Sequence, residues 1–441
     1  MNVAEKIGRT DRSVDSATFD QHESRVRSYC RDFPAVFAKA LGVRVWDENG
    51  HEYLDFLSGA GVLNYGHNHP ELRSALSAYL DSNGITHSLD LFTTAKRTFL
   101  ETFQEVILRP RNLDYRVQFT GPTGTNSVEA ALKLARKVTG RTNVVAFTNA
   151  FHGMSLGALS TSATLIKRAG AGIQLGGVTR LPFDGYLGDQ FDTAALLRDL
   201  LEDPGSGIDP PAAIILETVQ AEGGVRVARS EWLRAVADIA HRNGSLLIVD
   251  EIQTGCGRTG TFFSFERAGI QPDLVCVSKA IGGYGMPLAL LLIKPQFDVW
   301  KPGEHNGTFR GNNLAFVAGT AALRLWQHGD LARELEPKGN LLGDRLARIA
   351  RIGDATPRGI GLLRGLCWKD ADIAPHISRR AFSRGLIVET CGARHDVLKL
   401  LPPITISIDE LNAGLDILEH VVKESLGARQ WHAEVVPAPA S

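Results

Sequence analysis

Residues 246–260 read LLIVDEIQTGCGRTG. Four apolar residues without polar alternation, Leu246 to Val249, fit a strand covered on both faces, and Asp250 then falls at its carboxyl end. Working outward, the same pattern recurs at 144–147, 212–216, 274–277 and 288–293. Between these runs, residues 127–138 place Val128, Ala131, Leu132 and Ala135 on one helical face, and 232–241 do the same with Leu233, Val236 and Ala240. Buried strands alternating with amphipathic helices predict an α/β fold around a large, mostly parallel sheet with helices on both faces. Near the C-terminus, Ser407 and Glu410 have capping-box spacing ahead of the stripe Leu411, Leu415, Leu418 and Val422, which predicts a last helix in a smaller domain.

At 441 residues the chain is about three times a typical single domain, so two substructures are expected. The expected division is a flexible arm over 1–20, small-domain residues at 21–74, a large domain over 75–330, the rest of the small domain at 331–428 and a tail at 429–441. Hydrophobic residues make up 44%, and 48 basic groups face 49 acidic ones, which argues against a disordered or strongly nucleic-acid-binding chain. No apolar run approaches the roughly 20 residues of a membrane span. The polar N-terminus has no signal-like apolar core, so a cytoplasmic protein is expected. Cys30, Cys256, Cys276, Cys367 and Cys391 are scattered without a CxxC pair, which fits reduced thiols.

Ligands of open α/β sheets bind outside the carboxyl ends of the strands, so polar residues that follow apolar runs come first. Asp250 is one, Lys279 after LVCVS is another, and Glu217 closes a third run with Glu222 five residues on. Alone, each carboxylate reads as well as a cap or surface group, and the lysine as a snorkelling side chain. Together they specify chemistry. A partly desolvated lysine can form a Schiff base with a carbonyl cofactor, while a carboxylate from a neighbouring strand pairs with a pyridinium nitrogen. Thr123, Gly124 and Thr125 run straight into a helix and offer a phosphate cup, and Phe151 or His152, beside Gly153, offers a ring to stack on the pyridine.

Two competing patterns are weaker. Gly255, Gly257 and Gly260 satisfy GxGxxG, the mark of a nicotinamide dehydrogenase, but EIQT separates them from the strand and no amphipathic helix follows. His67 and His69 in GHNHP lack a third ligand for a metal hydrolase, so no metal is expected. A noncatalytic protein on the same fold is disfavoured because lysine, acid and phosphate cup are all intact.

These residues resemble the class III pyridoxal-phosphate aminotransferases. FLSGAGVLNYGHNHPEL, the phosphate-cup segment, NAFHGMSLGALS, ETVQAEGGV, LLIVDEIQTGCGRTG, SKAIGGYGMPLA, HNGTFRGNN and RGIGLLRGL follow in the family's order, from about residue 24 to 426. The resemblance implies a fold type I transferase with pyridoxal 5'-phosphate, Lys279 as its Schiff-base lysine and Asp250 as partner of the ring nitrogen. It further implies Thr123, Gly124 and Thr125 at the phosphate, Phe151 stacked on the ring and Gln253 at the 3-hydroxyl. Thr308 would reach the phosphate of a second subunit, which implies a homodimer with shared active sites. RSYCRDFPAVFAKA, GITHSLDLFTTAK and RPRNLDYRVQF are most similar to members that make L-2,4-diaminobutyrate from L-aspartate 4-semialdehyde and L-glutamate, as in ectoine biosynthesis. A transaminase of ornithine or 4-aminobutyrate is the alternative. The chain departs from the family in reading ETVQAEGG for EPxQGEGG. It also carries Lys399 where the family's substrate-binding arginine precedes Pro-Pro, and Glu222 would be the partner of that cation.

Overall fold

The computed structural model describes residues 16–434, with side chains described through residue 425. Seven strands form the large sheet, in the spatial order Arg116–Gly121, Ala289–Ile293, Leu274–Val277, Leu246–Asp250, Ala213–Leu216, Val144–Phe147 and Val178–Leu181. Ala289–Ile293 is antiparallel to both of its neighbours, and the remaining pairs are parallel. All five apolar runs singled out in the sequence are strands of this sheet.

Every residue of Leu246–Asp250 is buried, and successive residues serve opposite cores. Leu246 and Ile248 pack in one core with Val128, Ala131, Leu132 and Ala135 of helix Gly124–Thr139. Leu247 and Val249 pack in the other with Trp232, Leu233, Val236 and Ala240 of helix Ser230–Arg242. This is the two-residue period of a pleated strand between helical layers. Each buried Leu or Ile contributes roughly 2 kcal/mol, and a one-residue slip would turn all of them to the wrong face. The apolar pattern thereby fixes where Asp250 emerges.

A smaller α+β part carries two four-stranded sheets. In one, Phe37–Leu41, Arg44–Asp47 and Glu52–Asp55 are antiparallel, and Leu386–Ile387, from far along the chain, lies parallel to Glu52–Asp55. The other runs Thr356–Ile360, Leu363–Cys367, Val397–Leu400, Glu389–Cys391, all antiparallel. The capping box forms as expected: the Glu410 amide donates to Ser407 Oγ at 3.2 Å and the Ser407 amide to Glu410 Oε2 at 3.3 Å. The helix it starts, Ile408–Glu434, buries Leu411, Leu415, Leu418 and Val422 and runs past the expected end at 428. Of the expected arm, residues 1–15 lie outside the described residues and Ala17–His22 is a short helix; residues 435–441 of the tail also lie outside them.

The GCGRTG segment is a structural clamp. A Cβ on Gly257 would sit 2.5 Å from the Trp326 ring, so only glycine fits. Arg258 is fully buried; its guanidinium donates to Asn64 Oδ1 at 2.6 Å, to the Leu362 carbonyl at 3.2 Å and to the Pro402 carbonyl. It thus ties the loop after Asp250 to both halves of the smaller part. Arg258→Ala strands three buried acceptors and is expected to cost roughly 2–4 kcal/mol. The check is the midpoint of thermal unfolding, and an unchanged midpoint would refute the clamp.

Candidate active site

The carboxyl ends of adjacent strands Leu246–Asp250 and Leu274–Val277 deliver Asp250 and Lys279 to one cavity of about 150 Å³. Gly124, Thr125, Phe151, Glu222 and Gln253 line it too. Seven of the residues expected from sequence therefore meet at one place. Thr123 caps the helix start and is exposed outside the lining, as is Thr308 on the turn Thr308–Arg310. Lys399 is fully buried just behind Glu222, with Nζ 2.5 Å from Glu222 Oε1.

Lys279 takes a left-handed backbone conformation, φ +53°, as the strand breaks into a single 3-10 turn. Its Nζ donates to the Ala60 carbonyl at 3.0 Å. Burial lowers its pKa below the usual lysine range, against the opposing Glu222 charge and with the Lys399 ammonium adding to the fall, which shifts the balance toward the neutral, nucleophilic amine. Asp250 is 4% exposed: Oδ1 accepts from the Ile252 amide at 3.0 Å and Oδ2 lies 2.8 Å from His152 Nδ1. The His152 ring is wholly buried, and its Nε2 has no hydrogen-bond partner among the described residues.

Helix Gly124–Thr139 points its N-terminus at the cavity, as an anion site requires. Thr125 Oγ1 meets Ser155 Oγ at 2.5 Å, and a Cβ on Gly153 would come within 2.5 Å of the same Thr125 oxygen. Glycine there keeps the two loops close enough to share one wall. Phe151 lies against the cavity with Lys167 Nζ 4.0 Å from its ring centroid. Its amide donates to Glu217 Oε2 at 3.0 Å, and burial together with the Asp250 charge raises Glu217 well above the usual carboxylate range. Three carboxyls thus line the cavity, Glu217 bonded to the Phe151 amide, Asp250 beside an imidazole and Glu222 beside Lys399.

This donor set fits pyridoxal phosphate. It offers an amine whose pKa burial lowers, a buried carboxyl group beside a histidine, a helix N-terminus for phosphate and an aromatic wall. His152, first considered as a stacking partner, instead steadies Asp250. That contact spans 98 residues and carries no local sequence signal. The competing patterns find other uses: His67 Nε2 bonds Asp55 Oδ2 at 2.8 Å, and among the described residues no three His, Cys, Asp or Glu side chains are grouped to hold a metal.

Residues 27–422 match the aminotransferase class-III family. The chain is 56% identical over 416 residues to the diaminobutyrate–2-oxoglutarate transaminase of Streptomyces coelicolor, covering 93% of this chain and 98% of that protein. It is 53% identical to the transaminase of the same name from Halalkalibacterium halodurans, covering 93% and 97%. Among solved structures, the ornithine aminotransferase of Toxoplasma gondii superposes with a TM-score of 0.82 at 28% identity, covering 94% of each chain, and holds partly occupied PLP at its active site. With its large sheet, smaller α+β part and lysine-lined cavity, the chain belongs to the class-III aminotransferases, enzymes of PLP fold type I whose cofactor is pyridoxal 5'-phosphate.

Proposed function

We propose that the chain transfers the amino group of L-glutamate to L-aspartate 4-semialdehyde, giving 2-oxoglutarate and L-2,4-diaminobutyrate, in a reversible reaction that feeds ectoine or another diaminobutyrate-derived product. The relatives of 53–56% identity are named diaminobutyrate–2-oxoglutarate transaminases. The observation that carries the reading is the Glu222–Lys399 pair at the cavity wall. Glutamate reacts at a carbon that bears a carboxylate, whereas diaminobutyrate reacts at a terminal carbon that bears none. One site must therefore show a cation to the first substrate and hide it from the second. Glu222 does the hiding by covering Lys399, and withdraws when the α-carboxylate of glutamate arrives.

When bound, pyridoxal phosphate supplies a carbonyl that condenses with amines and a ring that accepts the electron pair left when a C–H bond breaks. The chain's own residues do the rest. Lys279 would anchor the cofactor and, as a free amine, would carry a proton between the substrate carbon next to the reacting nitrogen and the cofactor's C4′ atom. Asp250, steadied by His152, keeps the ring nitrogen protonated. Thr123, Gly124 and Thr125 hold the phosphate, Phe151 the ring face and Gln253 the 3-hydroxyl.

We assign residues 75–330 to the large domain, and 21–74 with 331–428 to the small one. A homodimer is proposed, with Thr308 serving the partner subunit's site. Support comes from the exposed apolar side chains Leu91, Phe92 and Phe309 around the contact of His87 Nε2 with the Thr308 carbonyl. Light scattering checks the mass. No helix among the described residues is long and apolar enough to cross a membrane, and we place the enzyme in the cytoplasm.

Single-turnover spectra of the two half-reactions test the substrate reading. Lys399→Ala is expected to slow the glutamate half-reaction roughly 100-fold and the diaminobutyrate half-reaction less than about fivefold. Glu222→Ala shifts preference toward α-amine donors. Equal losses in both half-reactions for Lys399→Ala would refute the switch.

A further inference from the structure

Lys399 has a second acidic neighbour. Its strand pairs antiparallel with Glu389–Cys391 in a register that sets Glu389 directly opposite Lys399, so both side chains leave the same face. Glu389 Oε1 lies 3.1 Å from Lys399 Nζ, and Oε2 accepts from the Tyr29 hydroxyl at 3.3 Å. Glu389 is 5% exposed and outside the cavity lining, fixed in a sheet strand. Glu222 is placed differently: it sits on the turn over 221–224 and faces the cavity. Gln253 completes the shell, with Oε1 3.2 Å from Lys399 Nζ and Nε2 3.3 Å from Glu222 Oε1. One buried ammonium is shared by a carboxylate on a turn and one on a strand.

The arrangement addresses a problem the substrate switch creates. Withdrawing the partner of a lone buried ammonium strands a charge in a dry site, which is strongly unfavourable. With Glu389 in place, the ammonium keeps a counter-charge throughout. Lys399 acts on the ionisation of both carboxyls. Burial opposes ionisation of Glu222, yet the Lys399 ammonium overrides it and brings the group down to about 2, whereas for Glu389 burial prevails and the pKa is raised. The Lys399 ammonium lowers Glu389 and the Glu222 charge raises it, so withdrawal of Glu222 favours the Glu389 carboxylate beside Lys399.

We propose that Glu389 is a positioning residue for substrate exchange: the standing counter-charge that holds Lys399 in place while Glu222 withdraws and the α-carboxylate of glutamate or 2-oxoglutarate takes its position. The inference rests on the proposed function for the identity of the two substrates. Glu389 faces a carboxylate before the exchange, in Glu222, and after it, in the substrate. Its charge therefore largely cancels from the binding equilibrium and acts on the passage between the two states.

Glutarate, a dicarboxylate with neither an amine nor a keto group, is the probe, bound to the full holoenzyme and followed by stopped flow and calorimetry. Glu389→Gln is expected to slow glutarate association and dissociation alike by about tenfold or more, leaving Kd within about threefold. The diaminobutyrate half-reaction, in which Glu222 never leaves Lys399, stays within about threefold of the parent. A merely structural lesion would instead weaken Kd and slow both half-reactions. Parental exchange rates, or a Kd weakened about tenfold with association unchanged, would overturn the proposal. Should Glu389→Gln fail to fold, Glu222→Gln decides: with Glu389 as counter-charge its thermal midpoint stays within about 3 °C of the parent, and a fall beyond about 10 °C overturns the proposal. The glutarate arm uses no diaminobutyrate. If the parent does not turn over diaminobutyrate but the glutarate rates behave as expected, the substrate reading fails and the role of Glu389 stands.

Discussion

Lys279→Ala is expected to retain the fold and lose transamination by roughly 10⁴-fold or more. The fold should survive because, among the described residues, the Lys279 side chain makes one hydrogen bond, to the Ala60 carbonyl, and because alanine in the left-handed conformation is no more strained than lysine. Activity should not survive, since the same amine anchors the cofactor and moves the proton. In the parent, borohydride reduction followed by peptide mapping is expected to label Lys279. Turnover near the parental rate, or label on another lysine, would show that the site is misassigned.

Asp250→Asn is the second large effect. Asparagine keeps the shape and can still accept from His152 through its amide oxygen, so the strand end and the histidine stay in place. The negative charge that holds a proton on the ring nitrogen is removed. Cofactor affinity is expected to fall at least about tenfold, and the glutamate half-reaction to slow roughly 100- to 1,000-fold. Dialysis against buffer measures the first and single-turnover spectra the second. A half-reaction rate equal to the parent's would exclude Asp250 as the ring partner.

What the sequence showed follows from which signals are local. Strands buried on both faces announce themselves as apolar runs, and their ends mark Asp250 and Lys279. The edge strands Arg116–Gly121 and Val178–Leu181 escaped notice because sheet margins are half exposed, so polar residues dilute the pattern. The Ser407–Glu410 box and the stripe after it are also local, and both formed. Long-range pairings have no such trace. Nothing near residue 386 says that Leu386–Ile387 completes a sheet with Glu52–Asp55, and nothing near residue 389 says that Glu389 faces Lys399. The cluster around Lys399 was therefore half legible: the Glu222 partner came from family resemblance, and the second carboxylate required the register of two strands. Likewise His152 carries no sign in the sequence that Asp250 is its partner. The glycines of GCGRTG could mimic a nucleotide loop because glycine reports only close approach; here the close neighbour is Trp326.

The most direct measurement of the central claim is product stoichiometry. The purified holoenzyme is incubated with L-2,4-diaminobutyrate and 2-oxoglutarate, and glutamate and the amino-acid semialdehyde are both quantified. The account predicts equimolar glutamate and L-aspartate 4-semialdehyde, with loss of the terminal rather than the α-amine, and markedly slower turnover of ornithine and 4-aminobutyrate as donors. Equal or faster turnover of either of those amines, or release of the keto acid formed by loss of the α-amine, would contradict it.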